Sequence, residues 1–150
     1  MEEFHSIKEI LEKTGKYTGL TRGTSMMPII HQNRDNIIVV KPTGRLKKYD
    51  VPVYQLKSGK YVMHRIVEVY DDHYVIIGDN LNTKEYVTDD IICGVLVGYF
   101  RKGKKYVDCN KTKWYKLYSR VWVALYPLRP ISMFINRCIS FVERRILKRY

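Results

Sequence analysis

The chain has 150 residues, 45% of them hydrophobic and 28% charged, and a formal net charge of +12. Length and apolar content suffice for one domain with a real core, and with only five prolines they exclude a disordered chain. The charge is uneven: residues 1–100 carry 13 Lys and Arg against 13 Asp and Glu, whereas residues 101–150 carry 14 basic residues and only Asp108 and Glu143.

In chain order, residues 2–13 set Phe4, Ile7, Ile10 and Leu11 at helical spacing, which predicts a short amphipathic helix closed by Gly15. The opening Met1-Glu2-Glu3-Phe4-His5 is acidic where a secretory signal is basic and then apolar, so no signal peptide is expected. Gly23-Thr24-Ser25-Met26-Met27-Pro28 follows as a hydroxyl-bearing turn, with Gly23 permitting a tight backbone and Pro28 stiffening the exit. From Asn36 the texture is β. Residues 37–40, 51–56, 60–70, 74–77 and 91–100 read as strands, with turn signals at Gly44, Ser58-Gly59, Asp71-Asp72 and Arg101-Lys102-Gly103. Lys57-Ser58-Gly59-Lys60 suits a hairpin. Short strands so closely spaced predict a mainly β fold, a coiled and mostly antiparallel domain over residues 1–110.

Residues 111–150 read as a basic helical extension with two amphipathic helices. Trp114, Leu117, Tyr118, Val121, Trp122 and Leu125 form one stripe, ending at Pro127. After Pro130, Ile131, Phe134, Ile135, Cys138, Ile139, Val142 and Ile146 form another, beside Arg137, Arg144, Arg145, Lys148 and Arg149. Two prolines and the charges at Arg120, Arg129 and Arg137 interrupt any run of the roughly 18–20 apolar residues that a membrane-spanning helix needs. Two readings stay open: helices packed on the β-domain with solvated basic faces, or helices lying on an anionic membrane surface. No recognition motif accompanies the charge, so nucleic acid is not an expected partner. The expected location is the cytoplasm or the periphery of a membrane. Cys93, Cys109 and Cys138 are odd in number and lack CxxC spacing, which fits a reducing compartment and neither a disulfide framework nor a zinc site.

Three segments carry the candidate chemistry: the Ser25 turn, Tyr61-Val62-Met63-His64-Arg65-Ile66-Val67, and Ile77-Gly78-Asp79-Asn80. A serine attacks poorly unless a base takes its proton and donors meet the developing oxyanion. An imidazole with a reference pKa near ~6.5 is largely neutral at pH 7 and suits that base. On a strand over residues 60–70, Val62, His64 and Ile66 share one face, with Met63, Arg65 and Val67 on the other. His5, His31 and His73 have no metal-ligand spacing, so neither metal nor cofactor is expected. Each box alone has a plainer meaning: Gly-Thr-Ser as a capped loop, His64 as a core histidine.

Together, in this order between Gly23 and Phe100, the boxes resemble the type I signal peptidases and the related self-cleaving repressor domains, in the branch whose base is histidine. The resemblance implies that Ser25 is the nucleophile and His64 the base. Gly23, Thr24, Met26 and Pro28 would frame the serine box, Arg65 would accompany the histidine, and Gly78, Asp79 and Asn80 would close the core. The Ser25 N–H would be the first oxyanion donor. The second stays open, because Gly23 stands where many relatives carry a hydroxyl and Thr24 is only adjacent. Relatives place an acid a few positions after Gly-Asp-Asn, which makes Glu85 the first choice for orienting the imidazole, with Asp79, Asp89 and Asp90 behind it and Asp79 better suited to the turn itself. Arg34-Asp35 resembles the scaffold turn after the nucleophile.

The implied function is a serine endopeptidase that cleaves an extended signal or leader peptide. Signal peptidases ordinarily begin with a transmembrane anchor, which the opening residues here do not resemble. Two alternatives remain at this level. A self-cleaving regulator would need an upstream DNA-binding module and an Ala-Gly or Cys-Gly bond before the serine, whereas Ala124 is the sole alanine and Cys93-Gly94 follows both catalytic boxes. A catalytically silent scaffold at a membrane surface is the other.

Overall fold

The computed structural model describes residues 6–131 together with Phe134 and Cys138. Ser6 opens the first helix by accepting a hydrogen bond from the Glu9 N–H at 3.1 Å, and α1 (Ile7–Thr14) ends at Gly15 with buried Leu11 against the β-body. The expected first turn of this helix, with Phe4, and His5 lie outside the described residues.

Nine strands follow among the described residues: β1 (Lys16–Leu20), β2 (Asn36–Val40), β3 (Pro52–Gln55), β4 (Tyr61–Met63), β5 (Arg65–Val69), β6 (Tyr74–Ile77), β7 (Glu85–Val87), β8 (Ile92–Arg101) and β9 (Lys105–Asp108). All pairings are antiparallel, so the fold is mainly β as the strand spacing predicts. One sheet runs β1-β2-β8-β3-β4, with β9 also on β8, and the other runs β5-β6-β7. The ten-residue β8 is the spine, pairing with β2 along one edge and with β3 and then β9 along the other. Strands β1, β7 and β9 carry no strong apolar run, which is why composition alone does not reveal them. The hairpin between β3 and β4 falls at the expected place, with the Leu56 N–H donating to the Lys60 carbonyl at 2.9 Å.

Residues 60–70 are not one strand. The chain leaves the larger sheet after Met63, passes through His64 outside either ladder, and enters the smaller sheet at Arg65. Single-strand alternation therefore does not govern this stretch: Met63 packs on the main core of Leu11, Met26 and Val53, whereas Val67 joins a separate cluster with Val75, Ile77 and Val123. Val62 and Ile66 do share a cluster, with Tyr54 and Tyr74.

Helix α2 (Lys113–Leu125) lies across the smaller sheet, followed by a 3₁₀ turn at Tyr126–Leu128 and renewed helix at Arg129. The buried face divides the expected apolar stripe. Tyr115, Ser119 and Val123 are buried and Tyr118 and Trp122 half-buried, whereas Trp114, Leu117, Val121 and Leu125 are exposed. The face is chosen by polar partners more than by hydropathy, because the helix covers a buried ion pair whose Arg65 donates to the Tyr115 and Ser119 hydroxyls and whose Asp79 accepts from Tyr118. Of the second expected stripe, Ile131, Phe134 and Cys138 are described and exposed; Ile135, Ile139, Val142, Ile146 and the arginines and lysine beside them lie outside the described residues. No helix among the described residues is long and apolar enough to cross a membrane.

Candidate active site

The Ser25 turn is held from both ends. Gly23 begins it at φ 88°, a left-handed conformation that suits glycine, and its N–H donates to Gln32 Oε1 at 2.9 Å. Met26 is buried in the main core beside Ile29 and Ile30, and the Met27 N–H closes on the Thr24 carbonyl at 3.1 Å. The Met27–Pro28 peptide bond is cis. Downstream, the buried Asp35 carboxylate takes two bonds of 2.7 Å from Arg34 and the N–H groups of His31 and Lys102 at 3.0 Å each. Burial pushes Asp35 up, but these donors outweigh it and bring its pKa down to about 2. The carboxylate therefore ties the end of the serine loop to the turn after β8.

The Gly78–Leu81 turn fastens the serine segment to the smaller sheet. The Asn80 N–H donates to the Ser25 carbonyl at 2.8 Å and Asn80 Nδ2 to the Thr24 carbonyl at 3.2 Å. Gly78 makes this approach feasible: a Cβ there would sit 2.9 Å from the Ser25 carbonyl oxygen and 3.1 Å from His64 Cδ2. Both atoms flank one point, so the Ser25 carbonyl oxygen and the Cδ2 edge of the imidazole are at most about 6 Å apart. Among the described residues no hydrogen bond links Ser25 Oγ to the imidazole.

His64 is 4% exposed. Its Nδ1 lies 3.2 Å from Glu85 Oε2 and 3.1 Å from the Tyr54 hydroxyl, which itself donates to Glu85. Burial and this bond to Glu85 push the Tyr54 phenol far above its ordinary pKa, so it remains a donor. With its one proton committed to Glu85, Tyr54 can only accept from the ring. Both neighbours of Nδ1 are then acceptors, which assigns the ring proton to Nδ1 and the free lone pair to Nε2. That lone pair is on the Cδ2 side of the ring, the edge beside Gly78 and the Ser25 turn. Burial lowers the His64 pKa below its ordinary value and Glu85 only partly offsets it, so the ring is neutral at pH 7.

Arg65, the next residue, faces elsewhere. Its Nε and Nη2 each reach an Asp79 oxygen at 2.8 Å, and Nη1 donates to Ser119 Oγ at 2.7 Å. Tyr118 donates its hydroxyl to Asp79 at 3.1 Å and Trp122 its indole N–H to the Asp79 carbonyl at 2.8 Å. Asp79 is thus spent on Arg65. Asp89 is spent on Arg45 and Tyr74, and Asp90 lies beside Thr88. Of the four candidate acids, Glu85 alone meets the imidazole. The Cys93–Gly94 bond lies within β8, with Gly94 paired to Val53. No group of three or more His, Cys, Asp or Glu that could hold a metal ion occurs among the described residues.

The site residue that sequence reasoning missed is Tyr54. Its signal was indirect: the expected hairpin pairs Tyr54 with Val62, two residues before His64, within diagonal reach for an aromatic side chain. Compared with models of protein families, with curated proteins and with solved structures, the chain matches none.

Proposed function

We propose that the protein is a serine endopeptidase, resembling the histidine-base signal peptidases, that cleaves an extended signal or leader peptide. The observation that carries this reading is the meeting of the Ser25 turn and the Nε2 edge of His64 across Gly78, while Glu85 and Tyr54 hold the opposite edge. In the first step Ser25 Oγ attacks the scissile carbonyl as its proton passes to Nε2. Glu85 stabilises the imidazolium so formed, and the Ser25 N–H meets the oxyanion. The imidazolium then returns the proton to the leaving amine, and a water activated by the same nitrogen hydrolyses the acyl-enzyme.

The sheet order supports an extended substrate. Strand β1 ends at one edge of the larger sheet just before the serine turn, and β4 ends at the other edge just before His64. Four antiparallel steps separate them, so the two strands run in the same direction. A peptide seated beside either edge gains main-chain hydrogen bonds and brings one bond toward the serine.

The test is cleavage of candidate leader peptides by the full chain, its Ser25→Ala variant and its His64→Ala variant, with products read by mass spectrometry. Each substitution is expected to remove at least about a thousandfold of the rate while circular dichroism stays unchanged. Undiminished cleavage by either folded variant rejects the mechanism.

A further inference from the structure

Helix α2 has two faces with different work. Its inner face holds the site turn through Trp122 and Tyr118 on Asp79, and just beyond it Arg129 Nη1 donates to the Leu81 carbonyl at 3.0 Å. Its outer face has no such task and is apolar: Leu117 is 64% exposed, and Val121, Leu125 and Leu128 continue the same stripe toward Ile131. Lys113, Lys116 and Arg120 form its shoulder, all exposed. No Asp or Glu occurs between Asp108 and Glu143, although residues 1–100 are balanced in charge. Helix α2 therefore carries basic side chains and no acidic residue of its own.

We infer that this outer face of α2 is a docking surface for an anionic lipid bilayer. Two properties select that occupant. The face is a row of separate aliphatic side chains along a helix rather than a pocket, a shape that suits insertion into the acyl boundary of a flat bilayer. Its basic shoulder attracts anionic headgroups, at the level of about 1 kcal/mol for each Lys or Arg near the surface. A second copy would bring like charge to like charge along the whole contact. The inference does not depend on the peptidase reading, since lipid binding is measured without any substrate.

The experiment is sedimentation of the full chain with vesicles of phosphatidylcholine alone and of phosphatidylcholine mixed with phosphatidylglycerol. Strong binding is expected only to the mixed vesicles, with a blue shift of tryptophan emission as Trp114 leaves water. Two triple variants at exposed positions are compared: Leu117→Gln/Val121→Gln/Leu125→Gln, and Lys113→Gln/Lys116→Gln/Arg120→Gln. Each is expected to bind at least about tenfold more weakly, with an unchanged thermal melt. Four outcomes overturn the inference: no sedimentation with mixed vesicles, equal binding to both vesicle types, wild-type binding by either variant, or a stable dimer that the apolar variant splits. Loss of vesicle binding with full peptide cleavage would leave the peptidase reading standing, and loss of cleavage with intact vesicle binding would do the reverse.

Discussion

Two adjacent residues, His64 and Arg65, each meet one carboxylate, and the two pairs are built for opposite ends. Asp79 is 1% exposed and meets Arg65 with two parallel bonds, sealed by donors from α2. Glu85 is 38% exposed, meets His64 at a single nitrogen, and shares that contact with Tyr54. A pair sealed from water loses much when broken, because a bare charge is left behind. A pair open to water on one side costs little to break and leaves its histidine able to change protonation state. The junction at residue 64 makes the division: the chain changes sheets there, so consecutive side chains face different surroundings. One pair is scaffold, and in the proposed peptidase the other is chemistry.

Breaking each pair in turn gives the largest contrast. Asp79→Ala should cost about 3–5 kcal/mol of stability, since Arg65 would remain buried without its partner. Glu85→Gln should cost on the order of 1 kcal/mol or less while cutting the cleavage rate, because the imidazolium loses its counter-charge. Urea unfolding of both variants measures the stability difference. Equal destabilisation would break the distinction between the pairs.

The Gly78 contact gives an intermediate effect. A methyl group there meets Leu81 Cδ1 at 2.9 Å, which a flexible side chain can relieve, and the Ser25 carbonyl oxygen at 2.9 Å, which the backbone cannot. Gly78→Ala should therefore cost about 1–3 kcal/mol through overpacking and push the serine turn away from the imidazole. A displacement near 1 Å can cost on the order of a hundredfold in rate, so activity should fall further than stability. A melt lowered with cleavage intact would mean that the contact serves packing alone.

The two regions were also unequally legible. Ser25, His64 and the Gly78-Asp79-Asn80 turn stand out in sequence as a hydroxyl in a glycine turn, an imidazole in an apolar run and a polar turn, and Gly59 and the apolar runs give the hairpin and the inner strands. The short edge strands β1, β7 and β9 escape because pairing with neighbours, not an apolar run, makes them strands. The orientation of α2 escapes for a different reason. Hydropathy groups Leu117, Val121 and Leu125 with Tyr118 and Trp122 in one stripe, yet the helix buries Tyr115 and Ser119 because the Arg65–Asp79 pair recruits their side. A buried ion pair is a property of the assembled fold, and no local window contains both of its members and their donors.

Tyr54 offers the finest probe, because it touches the chemical pair without carrying charge. The proposed mechanism requires neutral His64, so the rate should rise with pH through a value below the ordinary ~6.5, burial being the dominant influence on this ring. Glu85 opposes that depression, and the Tyr54 hydroxyl blunts Glu85 by donating to it. Tyr54→Phe frees the carboxylate to act more strongly on the imidazolium, which should move the acid limb of the rate profile to higher pH. Glu85→Gln removes the counter-charge and should move the same limb to lower pH. Each change in stability should stay near about 1 kcal/mol, the scale of one hydrogen bond. Cleavage rates of the two variants across pH 4–8 check the signs, and a shift in the same direction for both would mean that Tyr54 acts through packing and not through the carboxylate it binds.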